Sequence, residues 1–181
     1  MRLTVILLTV VVFAAKGQTI QLTGEPRKIN DNSDSTKRFE FVKEVFRAIK
    51  SNKFENYASL FATKDEFKIL ANETIHNSDS VREALMQTRK IEFENLLRDA
   101  KKENIKWEST EFSDYLMRTY LPDNYSGRLL TGHINIKSKN ENKVIFGIQA
   151  IEINSRYTLL QVEKIMTGRM LKFVDIDSFE F

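Results

Sequence analysis

Apolar residues in the first half of the chain recur at three- and four-residue spacing, the period of amphipathic helices. The first helical stripe consists of Phe39, Val42, Val45, Phe46 and Ile49. A capping-box pattern at residues 52–55 predicts the start of a short second helix, with Phe54, Tyr57, Ala58 and Phe61 on one face. A stronger pattern of this kind at 80–83 opens the longest helix, which we expect to end near Asn104.

The second half of the chain changes to a period of two, which is typical of strands. Alternating segments cover residues 106–121, 130–137, 144–153 and 157–166, with a last short strand expected at 170–175. One break in the alternation of the first segment fits a β-bulge. Polar turns at 122–124, 139–142 and 154–155 separate these segments, and such short turns predict antiparallel hairpins.

Helices followed by a meander of strands define an α+β domain. The expected bulge and two glycines within strands, Gly132 and Gly147, indicate a strongly curved sheet. We therefore expect N-terminal helices that pack on the concave face of a curved antiparallel meander sheet.

The first residues are typical of an export signal. Arg2 precedes an apolar run, Leu3–Ala15, of about 13 residues, which is shorter than the roughly 20 needed to span a bilayer. Small residues predict cleavage between Gly17 and Gln18; a buried strand and an uncleaved anchor are the alternatives. The expected organisation is a signal peptide at 1–17, a polar arm at 18–34 and one α+β domain at 35–181. The mature protein would then be periplasmic or secreted.

Composition excludes several classes of function. The chain has no cysteine, which rules out a lipoprotein anchor, disulfides, thiol catalysis and cysteine-type zinc sites. Its 28 basic residues exceed its 25 acidic ones, but Arg2 and Lys16 belong to the predicted leader. The mature protein is thus close to neutral, and we expect no nucleic-acid binding, which needs a concentrated basic face. The densest basic cluster, 101–106, is diluted by Glu103 and Glu108 and predicts a solvated surface.

Residues suited to metal or hydrolytic chemistry are few. His133 falls on the polar side of its strand and is predicted to be solvated, and His76 lies in a polar connection. Neither histidine has a neighbour at metal-ligand spacing, so we expect no metal and no cofactor. Asp175, Asp177 and Glu180 are close in sequence, and we expect them in an exposed tail.

The segment Phe54–Ala62, with the sequence Phe-Glu-Asn-Tyr-Ala-Ser-Leu-Phe-Ala, resembles the second helix of the nuclear-transport-factor-2-like and ketosteroid-isomerase-like superfamily. The hairpins after Lys106 resemble its sheet, and the resemblance covers most of residues 36–166. It implies a cone-shaped, cystatin-like α+β fold. The order departs from that family, whose first strand precedes the long third helix, because residues 66–79 make a poor strand. A general cystatin-like layout of helices on a sheet is the alternative.

Domains of this superfamily enclose an apolar cavity between helices and sheet, where enzymatic members place an aspartate base and acidic hydroxyl donors. The cavity candidates that the resemblance implies here are Tyr57, Phe61, Trp107, Asp114 and Tyr115. None of them matches a catalytic position of the family, and aromatic stripes more often belong to the core.

Two functions are consistent with these observations. The first is an exported, non-catalytic module that binds a small apolar ligand or an envelope protein, either as a monomer or as a homodimer. The second is a small cavity enzyme, an isomerase, cyclase or hydratase, which would use carboxylate and tyrosine acid–base chemistry. A third role, as an inhibitor of another exported protein, would require an exposed aromatic patch on the sheet. The first is favoured because no catalytic set is discernible.

Overall fold

The computed structural model describes residues 27–29, 35–66, 78–121 and 127–167 of the chain. The helices and strands are, in chain order, β1 (Arg27–Ile29), α1 (Ser35–Lys50), α2 (Phe54–Ala58), α3 (Ser78–Lys102), β2 (Thr110–Leu121), β3 (Leu129–Ser138), β4 (Glu141–Ile153), β5 (Arg156–Gln161) and β6 (Lys164–Thr167). A 3₁₀ turn, Trp107–Ser109, leads from α3 into β2. The predicted α+β class is confirmed.

Several predictions concern parts of the chain outside the described residues. They are the leader at 1–17, most of the arm at 18–34, the poor strand pattern at 67–77 with His76, the turn at 122–124, the strand at 170–175 and the acidic residues at 175–180. Within the described ranges, no helix is both long and apolar enough to cross a bilayer.

Helix α1 buries the apolar face that its spacing predicts. Val42, Val45 and Ile49 are fully buried, and Phe46 lies beside them. The ammonium group of Lys50, in the last turn, donates a hydrogen bond to the carbonyl of Thr110 at 2.7 Å. This contact ties the end of α1 to the first residue of β2, and it places a positive charge at the helix terminus where the dipole favours one.

The predicted capping box at residues 52–55 does not form. The residue before α2 is Lys53, and its side chain makes no capping hydrogen bond. Asn52 instead adopts a left-handed conformation with φ of 56°, and its N–H donates to the carbonyl of Ile49. Asparagine tolerates this conformation at helix C-termini, so Asn52 ends α1 and does not begin α2.

The six strands form one antiparallel sheet in the order β1-β2-β3-β4-β5, and β6 pairs with β4 as well. Both β3–β4 and β4–β5 are joined by two-residue turns, Lys139–Asn140 and Asn154–Ser155, in which both residues have positive φ. That conformation is the type I′ turn, whose twist matches the flanking strands. The predicted hairpins between β3, β4 and β5 are therefore confirmed.

Two parts of the sheet differ from the prediction. The segment 157–166, predicted as one strand, is divided: β5 pairs with residues 149–153 of β4, and β6 pairs with residues 143–146. The division faces Gly147, which has φ of 69° and lies so close to the side chain of Glu163 that a Cβ there would collide with it. In addition, Arg27–Ile29 pairs with β2, although the sequence predicted a polar arm and no strand there.

A bulge in β2 explains the break in its alternation. The register shifts between Phe112 and Asp114 opposite β3, as predicted. The shift brings Phe112 and Tyr115 to the same face of the sheet and sends Asp114 to the other. A second register shift lies between Gly132 and His133 of β3, whose partners on β4 are Ile148 and Phe146.

The sheet has an inner face, which α1, α2 and α3 cover, and an outer face. Helix residues such as Ile49, Tyr57, Phe93 and Leu96 pack with inner-face residues in the main core. Nine buried strand residues of the inner face belong to that core: Leu130, Ile134, Ile136, Ile145, Ile148, Ala150, Tyr157, Leu159 and Ile165. A smaller apolar cluster on the outer face comprises Tyr120, Leu129, Ile151, Ile153 and Leu160.

Candidate functional site

The layer between helices and sheet, where the sequence analysis placed a cavity, is packed with aromatic rings around Tyr57. The ring of Tyr57 stacks on Phe93 with centroids 4.9 Å apart, and it meets Phe61 edge-on at 5.1 Å. Phe54 contacts the same Phe93 at 6.0 Å. We call this group, Phe54, Tyr57, Phe61 and Phe93, the Tyr57 layer. Such stacked and edge-to-face pairs are the geometries that aromatic cores favour.

The hydroxyl group of Tyr57 is buried without a hydrogen-bond partner. The residue is fully shielded from solvent. Burial raises the pKa of this hydroxyl far above its ordinary value; the negative charge of Glu92 raises it further, and Arg89 acts in the opposite direction. Burial therefore keeps this hydroxyl protonated at neutral pH.

The charged neighbours of the Tyr57 layer are paired with each other. Arg89 and Glu92, one turn apart on α3, form an ion pair with a shortest distance of 2.6 Å. The guanidinium of Arg89 also lies over the ring of Phe61, 5.1 Å from its centroid. The guanidinium of Arg89 therefore contacts both a carboxylate and a ring of the Tyr57 layer.

Tyr115 and Asp114, two further candidates, lie on opposite faces of the sheet. Tyr115 is half-buried on the inner face, with its ring centroid 6.2 Å from Phe39 and 6.5 Å from Phe112. Asp114 is exposed on the outer face, where it accepts a hydrogen bond from the side-chain amide of Asn135. The structure thus separates the one acidic candidate from the aromatic interior.

His133 lies on the outer face, as the alternation predicts, but it is not solvated. It is only 6 % exposed, between Leu116 of β2 and Phe146 of β4 in the sheet register. Burial lowers the pKa of its imidazole, and the carboxylate of Asp114 partly opposes this effect. The prediction of a solvated histidine was wrong because strand alternation defines a face and does not define how far that face is buried.

Trp107 lines an open pocket of about 380 Å³ at one end of the domain. The pocket, called here the Trp107 pocket, lies where three chain reversals meet: the end of α1, the end of α3 and the β3–β4 turn. Nine residues line it: Asn52, Leu97, Ala100, Lys101, Asn104, Ile105, Lys106, Trp107 and Lys139. Its volume falls within the range of small-molecule sites, which begins at roughly 300 Å³.

The rim of the Trp107 pocket depends on residues with positive φ. Asn52, Asn104 and Lys139 have φ of 56°, 54° and 49°. Asn104 ends α3, and the next N–H, of Ile105, donates back to the carbonyl of Ala100 at 2.9 Å. Each reversal brings polar side chains to the same end of the domain, so that two amides and three ammonium groups surround the indole.

No ion pair joins Lys101, Lys106 or Lys139 of the Trp107 pocket to an acid among the described residues. The acids nearby in sequence bind other lysines: Glu103 and Glu141 both contact the buried ammonium of Lys143, at 3.3 and 3.0 Å. Although burial would lower the pKa of Lys143, these two carboxylates raise it. Asp99 contacts Lys102 at 3.3 Å.

Lys106 and Lys139 of the pocket lie close to each other. The positive charge of Lys106, and contact with its ammonium group, lower the pKa of Lys139, while Glu141 acts in the opposite direction. The crowding of two exposed cations creates a local excess of positive charge at the rim of the pocket.

A second pocket, of about 370 Å³, lies between α1, α2 and β5 and differs in its charges. Glu44 and Arg47 line it together with Arg156, and the guanidinium of Arg156 binds the carboxylate of Glu66 at 2.7 and 3.1 Å. This pocket thus has charged residues of both signs in its lining, whereas the charged residues that line the Trp107 pocket are all lysines.

Trp107 was predicted from the sequence as a cavity residue, but the polar residues that surround it were not. The cluster at 101–106 was predicted to be diluted by acids, and Lys139 was predicted to be part of a turn. The signal was present in the asparagines that follow helices and in the lysine of the tight turn. What could not be predicted is that Glu103 turns away to Lys143, because that contact joins residues 40 positions apart.

Comparisons with known protein families, with curated proteins and with solved structures found no match. Within the described part of the chain, no group of three or more acidic or histidine side chains is placed to hold a metal ion.

Proposed function

We propose that this protein is an exported, non-catalytic module that binds a small ligand in the Trp107 pocket. The observation that carries the proposal is the pocket itself: a half-buried indole next to Leu97, on an open space of suitable volume, with amide and ammonium groups at its rim. Apolar walls with a few convergent polar groups are the usual composition of ligand sites.

The packing of the interior supports a binding role over catalysis. The alternative, a small cavity enzyme, needs an acid among the aromatic rings of the inner layer. Asp114 is exposed on the opposite face of the sheet, and among the described residues the buried acid is Glu66, which Arg156 holds in an ion pair. The Tyr57 layer consists of rings that contact one another, which is the arrangement of a core.

The finer architecture and the location belong to the same proposal. We propose a cystatin-like cone of the nuclear-transport-factor-2-like kind. The proposal is supported by the packing of α1, α2 and α3 on an antiparallel sheet and by the register shifts in β2 and between β3 and β4. The apolar run Leu3–Ala15 supports export, with cleavage before Gln18 and a periplasmic or secreted product. Sequencing the N-terminus of the exported protein tests the cleavage site.

Native mass spectrometry of the exported protein tests the binding function. We expect a small-molecule adduct on the wild-type protein that is lost from Trp107→Ala, because this change removes the apolar wall of the pocket. Phe146→Ala is the matched control, since it removes a half-buried ring from the outer face of the sheet. The same spectra count the protomers and so test for a homodimer.

Retention of the adduct by Trp107→Ala would overturn the assignment to this pocket. If the wild-type protein carries no adduct, titration with small ligands decides the question. The proposal would be contradicted if none of the ligands changed the emission of Trp107. Trp107 is the single tryptophan of the chain, so its emission reports on this pocket alone.

A further inference from the structure

We infer that the ligand of the Trp107 pocket is an amphiphilic anion, a freely diffusing small molecule in which a carboxylate or phosphate is attached to an apolar or aromatic body. This inference rests on the proposed function and adds the chemical class of the ligand. The anion would bind between Lys106 and Lys139, and the apolar body would contact Trp107 and Leu97.

The lysines of the pocket differ in whether a helix dipole explains their positive charge. Lys101 lies in the last turn of α3, where a positive charge complements the carbonyl ends of the helix. Lys106 and Lys139 belong to no helix: Lys106 precedes the 3₁₀ turn and Lys139 occupies the β3–β4 turn. A helix dipole therefore does not account for these two charges.

Two acids near the pocket form their ion pairs with a lysine that does not line it. Glu103 and Glu141 are both engaged by Lys143, which is only 5 % exposed and needs them to compensate its buried charge. Glu108, in the same turn as Trp107, does not line the pocket. Since no carboxylate of the described residues pairs with Lys106, the two crowded ammonium groups present an unused site for an anion.

The walls of the pocket are in part apolar. The lining residues Leu97 and Trp107 are apolar and half-buried, and they lie beside the buried Ala100 and Ile105. An inorganic anion would leave this surface in contact with water, and a neutral apolar molecule would leave the lysines without a partner. A ligand with both an anionic group and an apolar body satisfies both parts, and the amides of Asn52 and Asn104 supply additional hydrogen-bonding groups.

The emission of Trp107 in the exported protein tests this inference directly. Three probes separate the components of the ligand: phenyl phosphate carries both parts, inorganic phosphate carries the anion alone, and benzyl alcohol carries the apolar body alone. We expect saturable binding that is tightest for phenyl phosphate and that weakens as salt concentration rises, because exposed charges are screened.

Variants of the two lysines provide the control. Lys106→Gln/Lys139→Gln is expected to weaken phenyl phosphate binding about tenfold or more, since charge-assisted hydrogen bonds are lost. Lys106→Arg/Lys139→Arg should retain binding. Lys90→Gln/Lys137→Gln removes the same charge from exposed positions that do not line the pocket and should leave the affinity unchanged.

The outcomes distinguish this inference from the proposed function. Equal affinity of the Gln/Gln variant and the wild type for phenyl phosphate would overturn the anionic class but leave a ligand site. Tighter binding of benzyl alcohol than of phenyl phosphate would also overturn it. Binding to phosphatidylglycerol vesicles without binding of phenyl phosphate would replace the diffusing ligand by a membrane surface, against the inference. Absence of any response to all probes would count against the pocket itself.

Discussion

The Tyr57 layer and the Trp107 pocket both use aromatic residues against helix α3, yet they differ in what surrounds the rings. Tyr57 and Phe93 are almost fully buried, and each contacts other rings of the layer. Trp107 is half-buried and borders open space with amides and ammonium groups. An aromatic residue thus becomes part of a core where other rings pack against it, and it borders a pocket where helix ends and a turn meet beside it.

The charges of the two regions differ in the same way. Beside the Tyr57 layer, Arg89 is paired with Glu92. At the Trp107 pocket, Lys106 and Lys139 face each other. Opposite charges that are paired hold each other's side chains in place. Like charges that lie close together repel each other, and a bound ion of opposite sign relieves this repulsion.

The largest difference between the two regions is expected in the free energy of unfolding when an aromatic ring is removed from each. Phe93→Ala should lower the free energy of unfolding by about 3–5 kcal/mol, because it leaves a cavity among Tyr57 and Phe54. Trp107→Ala should cost less than half as much, since one side of the indole already faces the pocket. Urea unfolding followed by circular dichroism measures both.

Ile91→Ala, on the same helix, is the control for this experiment. The side chain of Ile91 is 60 % exposed, so its truncation should change the free energy of unfolding by no more than about 0.5 kcal/mol. Equal losses for Phe93→Ala and Trp107→Ala would show that the Trp107 pocket is as much part of the core as the Tyr57 layer.

An intermediate effect is expected from the Glu66–Arg156 pair. Thr63 and Glu66 cap each other reciprocally: the N–H of Thr63 donates to the carboxylate at 2.9 Å, and the N–H of Glu66 donates to the Thr63 hydroxyl at 3.3 Å. Burial would raise the pKa of Glu66, but the hydrogen bonds from Arg156 and from the Thr63 N–H outweigh it and lower the pKa. Glu66→Gln should lower the free energy of unfolding at pH 7 by about 1–2 kcal/mol, with half-exposed Arg156 limiting the loss.

The pH dependence of this loss has a defined sign. Since the folded pKa of Glu66 lies below its unfolded value of about 4.3, the ionised pair stabilises the fold above that pH, and the stabilisation disappears as pH falls through the folded pKa. Unfolding midpoints of wild type and Glu66→Gln should therefore converge on acidification. Glu94→Gln, at an exposed position of α3, is the control, and Lys139→Gln at the pocket should cause no loss. Parallel pH curves for Glu66→Gln and wild type would exclude the pair as the cause.

The smallest effect, of opposite sign, is expected from Tyr57→Phe. The hydroxyl is buried without a partner, so its removal relieves an unmet desolvation cost and should raise the free energy of unfolding by about 1 kcal/mol. Tyr115→Phe, at a half-buried ring of the same face, should be neutral. Thermal unfolding measures both, and a loss of stability in Tyr57→Phe would mean that the hydroxyl has a bonding partner.

Helices and hairpins were predictable because their determinants are local. The spacing of Val42, Phe46 and Ile49 predicted α1, and the polar residues at 139–142 and 154–155 predicted turns between strands. Errors arose where one residue could serve two neighbours. Asparagine is a residue type that is common at N-caps, but Asn52 follows Ile49 by one turn and therefore ends α1.

The candidate site was predictable only in part, for a related reason. Among the five cavity candidates, the helical stripe correctly grouped Tyr57 with Phe61, which do contact. The bulge between Phe112 and Asp114 sends Asp114 to the face opposite Tyr115. A break in alternation can be recognised in a sequence, but its exact position depends on which hydrogen bonds the neighbouring strand offers.

By itself, the sequence determined the α+β class, the order of helices and hairpins and the absence of cysteine chemistry, because periodicity and composition act through neighbours along the chain. Only the tertiary structure decided which aromatic rings close into a core and which borders a pocket. It also decided that Glu103 and Glu141 compensate Lys143 and leave Lys106 and Lys139 together. Burial and Coulomb interactions act through space, so the partner of a charge is known only after distant segments have met.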